Sequence, residues 1–316
     1  MTTVAAIDCG TNSIRLLIAD ATENGDLTEL VREMDVVRLG QGIDRTGVID
    51  AAAMRRALDS CERYAGQCRA HGVDRIRFVA TSATRDAGNA ADFVRGVRSA
   101  FAEFEVTPEV VSGDVEAELS FRGATRSLVA AGVPGPYAVV DIGGGSTEVV
   151  IGTSQVTAAR SVDVGSVRIT ERHLAEDPPT AAEIAAATTD INAALDLVTQ
   201  TVDLSEVRTV VGLAGSVTTV TAYMLGLSAY DRRAIHLSTA TPQEHRDAAD
   251  RLLHMARGDR AALGFMHPGR VDVIGAGALV WHEVLGRVLA DARDPGAVGV
   301  VASEHDILDG IALSLL

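Results

Sequence analysis

The chain contains no lysine. All 28 of its basic residues are arginine, which excludes Schiff-base catalysis and the lysine of a Walker phosphate loop. Cysteine is almost as scarce. Cys9, Cys61 and Cys68 are odd in number and lack CxxC spacing, so neither a disulfide framework nor a thiolate zinc site is expected. Cys61 and Cys68 read as packing residues on one helix. Aromatic side chains make up only 3% of the chain, against 47% apolar and 22% charged residues, a soluble globular profile. No apolar run approaches the roughly 18 residues of a membrane helix. The N-terminus, MTTVAAIDCG, shows neither a basic segment nor a signal-type apolar region. A cytoplasmic protein is the expectation. Positive charge is outweighed by 43 acids, for a net −15, which disfavours nucleic-acid and anionic-membrane partners. A polyanionic ligand would need a locally positive site or cations of its own. The eight histidines are scattered, without HxH or HExxH spacing, and none is assigned to catalysis.

What is present is a repeat. A length of 316 residues suits two domains of about 100–200 residues each. VAAIDCGTNSIRLLIAD at 4–20 overlays YAVVDIGGGSTEVVIGT at 137–153 without a gap, at a constant offset of 133. Asp8 falls on Asp141, Gly10 on Gly143, Ser13 on Ser146 and Arg15 on Glu148. Both stretches read as strand, tight glycine-containing turn, strand: a β-hairpin rather than a strand-to-helix loop. Helical periodicity covers 50–71 and 90–103, with a strand at 75–81 between them. The stretch 109–131 reads as a strand ending at Ser112-Gly113, then a long helix. Further helices are expected near 180–201 and 242–257, and strand–glycine–helix units at 208–225 and 271–285. Strands alternating with helices give an α/β class.

Consecutive glycines let backbone N–H groups converge on a ligand, and such a nest binds phosphate without a cationic side chain. Gly143, Gly144 and Gly145 with Ser146 and Thr147, and Gly10, Thr11, Asn12 and Ser13 opposite, are therefore candidate phosphate contacts. Two such hairpins facing each other across a cleft would hold one phosphate from both sides. A carboxylate beside a phosphate repels it, so Asp141 makes sense as a ligand of Mg²⁺ (or Mn²⁺), which bridges carboxylate and phosphoryl oxygens. Asp8 is a weaker candidate for that role and Glu148 a third, with turn capping the plain alternative for the two aspartates. In TSATRD (81–86), Arg85 lies in a polar loop at a strand's carboxyl end, where α/β ligand sites form. Glu116 sits in the first turn of a helix, where a carboxylate can simply satisfy the dipole. It becomes a candidate general base if that turn opens into the site. Glu118 lies about 200° round the helix, so only one of the pair can face inward.

Taken in order, AIDCGTNSIRLLIAD, TSATRDAGN, VVSGDVEAELSFRG, VVDIGGGSTEVVIG and VASEHDILDGI resemble the signature segments of the Ppx/GppA phosphatases. These are the exopolyphosphatases and guanosine pentaphosphate phosphohydrolases of the actin-like ATPase and sugar-kinase superfamily. The resemblance covers essentially the whole chain. It implies two actin-like (ribonuclease H-like) domains with a cleft between them. Domain I would cover 1–125, completed by a C-terminal helix at 303–316, and domain II 126–302. It implies removal of the terminal phosphoryl group of linear polyphosphate, or of pppGpp, by water with Mg²⁺ present, and hence a place in the stringent response. It makes Glu116 the proposed base, Asp141 and Glu148 the acids associated with the metal, Arg85 a phosphate contact, and Gly10 to Arg15 the first phosphate loop. Thr11 stands where serine is usual, which keeps the hydroxyl and should matter little. VGLAGS replaces a more glycine-rich segment, and SEHDILDG departs from the usual tail, which weakens any role for Ser303 or Glu304. The further C-terminal domains of long members are lacking, suggesting a short-chain preference. Three other readings stay open: pppGpp hydrolysis on the same machinery, a kinase using VGLAGS and IGAGAL as a nucleotide cradle, and a non-catalytic sensor. Apolar helices at 271–285 and at the C-terminus are candidate surfaces for a homodimer.

Overall fold

The computed structural model describes residues 2–22 and 26–316. It divides into two units: the residues up to Gly123 together with Ile307–Leu316, and Ala124–Asp306. The first unit opens with β1 (Thr2–Cys9), β2 (Ser13–Ala21) and β3 (Leu27–Val36). A short α1 (Ile43–Thr46) leads to α2 (Ala51–Ala70) and β4 (Arg75–Ala80). Then come α3 (Ser82–Asp86), α4 (Ala90–Ala100), β5 (Glu109–Val110) and α5 (Gly113–Ala130). The division of the chain falls inside α5.

The second unit holds β6 (Tyr137–Ile142), β7 (Thr147–Gly152), β8 (Val156–Val162), α6 (Ser166–His173) and α7 (Ala181–Thr199). It continues with β9 (Thr209–Leu213), α8 (Ala214–Met224), α9 (Arg232–Ile235), β10 (Thr239–Ala240) and α10 (Pro242–His254). It ends with α11 (Arg257–Ala262), α12 (Ile274–Asp291) and β11 (Gly299–Ala302). The last helix, α13 (Ile307–Leu313), belongs to the first unit.

The two sheets have the same plan. The first runs β3-β2-β1-β4-β5, and the second β8-β7-β6-β9-β11 with β10 added at the edge. In each, the first three strands are antiparallel and the next two parallel to the first. These are two α/β units of like plan, as the repeat in the sequence implied. The period-2 alternation of β1 explains its unbroken apolar run. Ala5, Ile7 and Cys9 join a core with α2 and α4, while Val4 and Ala6 pack on the opposite face with Ile307, Leu308 and Ile311 of α13. Asp8 lies on this second face by the same alternation.

Two expectations are corrected. Val271–Val273 is not a strand: the chain turns there and Val273 precedes α12 directly. And the helices proposed as a dimer surface are spent internally. Most of α12, including Trp281, lies in the core of the second unit, and every residue of α13 is buried.

Beside Trp281 sits a buried histidine. Trp281 Nε1 donates to His245 Nδ1 at 3.3 Å, and His245 Nε2 has no partner among the described residues. Burial lowers the His245 pKa to about 4. The unfolded chain, with histidine near pH 6.5, therefore takes up this proton first as pH falls. Stability is flat above about pH 6.5 from this source and declines by a few kcal/mol on the way down to about pH 4. Urea unfolding of His245→Phe across this window should show a shallower decline than the parent; an unchanged slope removes His245 as its cause.

Candidate functional site

In the first unit the carboxyl ends of β1, β4 and β5 lie side by side. Thr81 N donates to Cys9 O at 3.1 Å, and Val111 N to Ala80 O at 3.0 Å, carrying each parallel ladder one residue beyond its strand. The segments leaving these strands are the hairpin tip Gly10–Ser13, Thr81 with the short helix α3, which carries Arg85 on a helix rather than in the expected loop, and Ser112 with the first turn of α5, which carries Glu116. Ligand sites of α/β sheets form at such an edge.

The β1–β2 hairpin closes through Gly10 N to Ser13 O at 2.9 Å, leaving Thr11 and Asn12 as its tip. The β6–β7 hairpin closes identically, Gly143 N to Ser146 O at 3.0 Å, around Gly144 and Gly145. In both, the following segment ties the tip carbonyls back. Val37 N and Arg38 N donate to Asn12 O, at 3.0 and 2.9 Å, and Gly40 N to Thr11 O at 2.8 Å. In the second unit Ser166 N donates to Gly143 O at 3.0 Å, and Val167 N and Arg168 N to Gly144 O at 2.9 and 3.1 Å. A trans peptide points its N–H opposite to its C=O. The amides of Asn12, Gly144 and Gly145 are thus turned away from the segments that hold the carbonyls. That is the orientation an anion-binding nest requires.

Gly165 makes this arrangement possible, because a Cβ there would lie 2.6 and 2.7 Å from the backbone C of Gly144 and N of Gly145. Not every expected donor faces a ligand. The Thr147 hydroxyl donates to Val164 O at 2.6 Å. Its single hydrogen is spent, so this side chain braces the hairpin rather than contacting phosphate. Ser146 is buried beside it.

The repeat keeps an acid at equivalent register positions but changes its partner. Asp8 lies opposite Arg15 on β1 and β2, and Asp141 opposite Glu148 on β6 and β7. Arg15 Nε and Nη2 both donate to Asp8 Oδ2, at 2.9 and 2.7 Å. Asp8, expected as a metal ligand, and Arg15, expected on phosphate, therefore hold each other. Asp141 and Glu148 are both buried. Like charges at directly opposed positions repel, and this acid pair fits a hard divalent cation that takes one or two carboxylates and fills its shell with phosphoryl oxygens and water. Ser161 Oγ donates to Glu148 Oε1 at 2.7 Å and fixes that carboxylate. Ser161 escaped sequence reasoning because β8 carries no clear strand pattern. Among the described residues no group of three or more His, Cys, Asp or Glu side chains comes together as a metal cluster.

Arg85 and Glu116 meet. Arg85 Nη1 donates to Val111 O at 2.9 Å and to Glu116 Oε2 at 3.3 Å. Glu116 is buried in the first turn of α5 while Glu118 is exposed, as the 200° separation requires. Ser112 starts the turn, with Glu116 N donating to its carbonyl at 3.0 Å.

In VGLAGS, Ala214 adopts φ 61°, the left-handed conformation that glycine takes without strain. The backbone of a glycine-rich turn persists there despite the substitution. The glycines of IGAGAL are different. Gly275 and Gly277 lie inside α12, where added Cβ atoms would meet Arg260 and Ser216. They are packing glycines, not a nucleotide loop. In the tail, Ser303 Oγ donates to the His305 carbonyl at 2.8 Å, and Glu304 accepts from Tyr230 and Arg232 at 2.5 and 3.1 Å.

Comparison with known proteins agrees with this construction. Exopolyphosphatase 2 of Mycobacterium tuberculosis is 47% identical over 320 aligned positions, covering 100% of this chain and 99% of that protein. A crystal structure of an exopolyphosphatase-like protein superposes with a TM-score of 0.94 at 44% identity, covering 99% of this chain and 97% of that one. The PPX-GPPA enzyme of Aquifex aeolicus gives 0.79 at 27% identity, covering 99% of both chains. The model of the Ppx/GppA phosphatase family matches residues 17–314. With its two like-built hairpins and the Arg85–Glu116 pair in place, the chain belongs to the Ppx/GppA phosphatase family.

Proposed function

We propose that this protein is an exopolyphosphatase, releasing the terminal phosphoryl group of linear inorganic polyphosphate as orthophosphate. One observation carries the reading. A hairpin with its tip amide turned outward, and a buried glutamate bonded by a half-buried arginine, emerge from adjacent strand ends of a single sheet. An amide nest, a guanidinium and a positioned carboxylate are what hydrolytic phosphoryl transfer asks of a protein, since that reaction depends on positioning and electrostatics more than on covalent chemistry. The name borne by the M. tuberculosis relative supports the same substrate.

The amide at Asn12 binds a phosphoryl oxygen in the first unit, and the amides at Gly144 and Gly145 in the second are each turned outward for an anion of the same kind. Arg85 exchanges its bond to Glu116 for an equatorial oxygen of the terminal group. Glu116 orients a water and accepts its proton as the water oxygen bonds to phosphorus and the bridging P–O bond breaks; the shortened polymer leaves with that bridging oxygen. Asp141 and Glu148 would hold Mg²⁺, which when bound neutralises phosphoryl charge. The acidic surface then poses no conflict, because amides, arginines and a cation meet the polyanion.

The test is phosphate release from tripolyphosphate, longer polyphosphate and pppGpp, compared as kcat/KM. Polyphosphate should exceed pppGpp. The reverse order assigns the same machinery to the alarmone, and binding without turnover assigns it to a sensor.

A further inference from the structure

Thr11 stands at the tip of the first hairpin, and two of its atoms are pinned. Its Oγ1 lies 2.8 Å from Ser82 Oγ in the first turn of α3. Its methyl points at Gly40: a Cβ on Gly40 would fall 2.2 Å from Thr11 Cγ2 and 3.2 Å from Thr11 Cβ. Gly40 N also donates to Thr11 O at 2.8 Å, so that glycine cannot easily retreat. A β-branched side chain held on both branches has one χ1. The methyl that distinguishes threonine from serine at this position is therefore a locating pin.

The hydrogens can be counted. Two hydroxyls share one bond, so one hydrogen is left over. Ser82 is 2% exposed and its hydroxyl meets no other partner among the described residues. If Thr11 donated to Ser82, the leftover hydrogen would sit on Ser82 with no acceptor, and an orphaned buried donor is costly. The satisfied arrangement has Ser82 donating to Thr11 Oγ1. The remaining hydrogen is then on Thr11, itself only 7% exposed, at the hairpin tip from which the Asn12 amide also faces outward, and a ligand oxygen arriving at that tip would satisfy it. Accepting one bond strengthens the bond a hydroxyl donates.

We propose that Ser82 is a positioning residue, which together with the notch at Gly40 aims the Thr11 hydroxyl at a phosphoryl oxygen of the substrate. This rests on the reading of the hairpin as a polyphosphate grip. Ser82 and Arg85 are three residues apart in α3, neighbours along one side of the helix. The turn that aims Thr11 is thus the turn that carries Arg85 to Glu116, and the grip on the phosphate and the placing of the acid share one support.

The whole protein should be assayed for phosphate release from polyphosphate, with thermal melting alongside. Thr11→Val keeps the shape and removes the hydroxyl, and should lower kcat/KM about 10–100-fold. Ser82→Ala should lower it about tenfold, with most of the loss in KM and the melting temperature nearly unchanged. Because both act through one bond, Thr11→Val/Ser82→Ala should be no worse than Thr11→Val alone. Gly40→Ala should lose activity and melt earlier, and adding Thr11→Ser, which removes the clashing methyl, should restore most of both. Losses that multiply in the Thr11/Ser82 pair, or a Gly40→Ala defect that Thr11→Ser leaves untouched, overturn the proposal. If the parent enzyme turns over no polyphosphate, the substrate reading is what has failed. The pin then stands or falls on the melting temperatures of Gly40→Ala and Gly40→Ala/Thr11→Ser.

Discussion

Glu116→Gln should lower kcat for phosphate release about 10²–10⁴-fold while KM moves little, the range for removing a general base from a positioned water. Glutamine keeps the length of the side chain and can still accept the bond from Arg85 Nη1, now 3.3 Å from Oε2, so the local packing survives. What it cannot do is take a proton. The loss should therefore appear in the chemical step and not in substrate affinity. Glu118→Gln serves as the matched control. It removes the same charge from the same helix at an exposed position and should leave turnover within about twofold. Turnover of Glu116→Gln within a few-fold of the parent would remove Glu116 from the chemistry. Equal losses in both variants would show that charge on α5, and not a positioned base, is what matters.

Much of this site could be read before any coordinates because its elements are locally encoded. β1 and β6 are buried on both faces and flanked by tight turns, so their apolar runs, acids and glycines line up at a constant offset of 133. Helical geometry sends Glu116 and Glu118 to different sides, and the resemblance of SGDVEA to the family's segment chose Glu116 between them. Other elements were hidden for physical reasons. β3 reads LTELVREMDV and is largely exposed or half-buried, so charge replaces the alternation that betrays a strand. β8 is likewise half-open. The stretch at 271–273 has strand composition but is overruled by the turn into α12. Gly40, Gly165 and Ser161 gained their roles only through contacts with Thr11, Gly144 and Glu148. Such roles depend on which distant segment arrives beside them, and no local pattern records that. Thr147 shows the converse. Its position in a GGGST motif suggested a ligand, and a buried carbonyl claimed its hydroxyl instead.

The duplicated register positions lead to the second large effect. In the first unit the acid faces an arginine and the pair is neutral by itself; in the second it faces another acid. Asp141→Asn should therefore act in opposite directions on stability and on activity. In chelator, removing one of two directly opposed carboxylates relieves repulsion worth about 0.2–1 kcal/mol, which raises the melting temperature by roughly 0.3–1.5 °C at this size. Added Mg²⁺ or Mn²⁺ should raise the melting temperature of the parent by mass action and that of Asp141→Asn little. Phosphate release by the variant should fall about 10²-fold or more, the scale of losing one electrostatic contribution to the transition state. Glu148→Gln should behave alike but more weakly, because Ser161 already bonds its carboxylate at 2.7 Å. Asp8→Asn is the decisive comparison. It removes the charge of the acid that Arg15 bonds at 2.7 Å and so should lower the melting temperature in chelator and leave the response to the divalent ion intact. If Asp8→Asn and Asp141→Asn shift stability in the same direction, the two hairpins are electrostatically equivalent and the metal does not belong to the second.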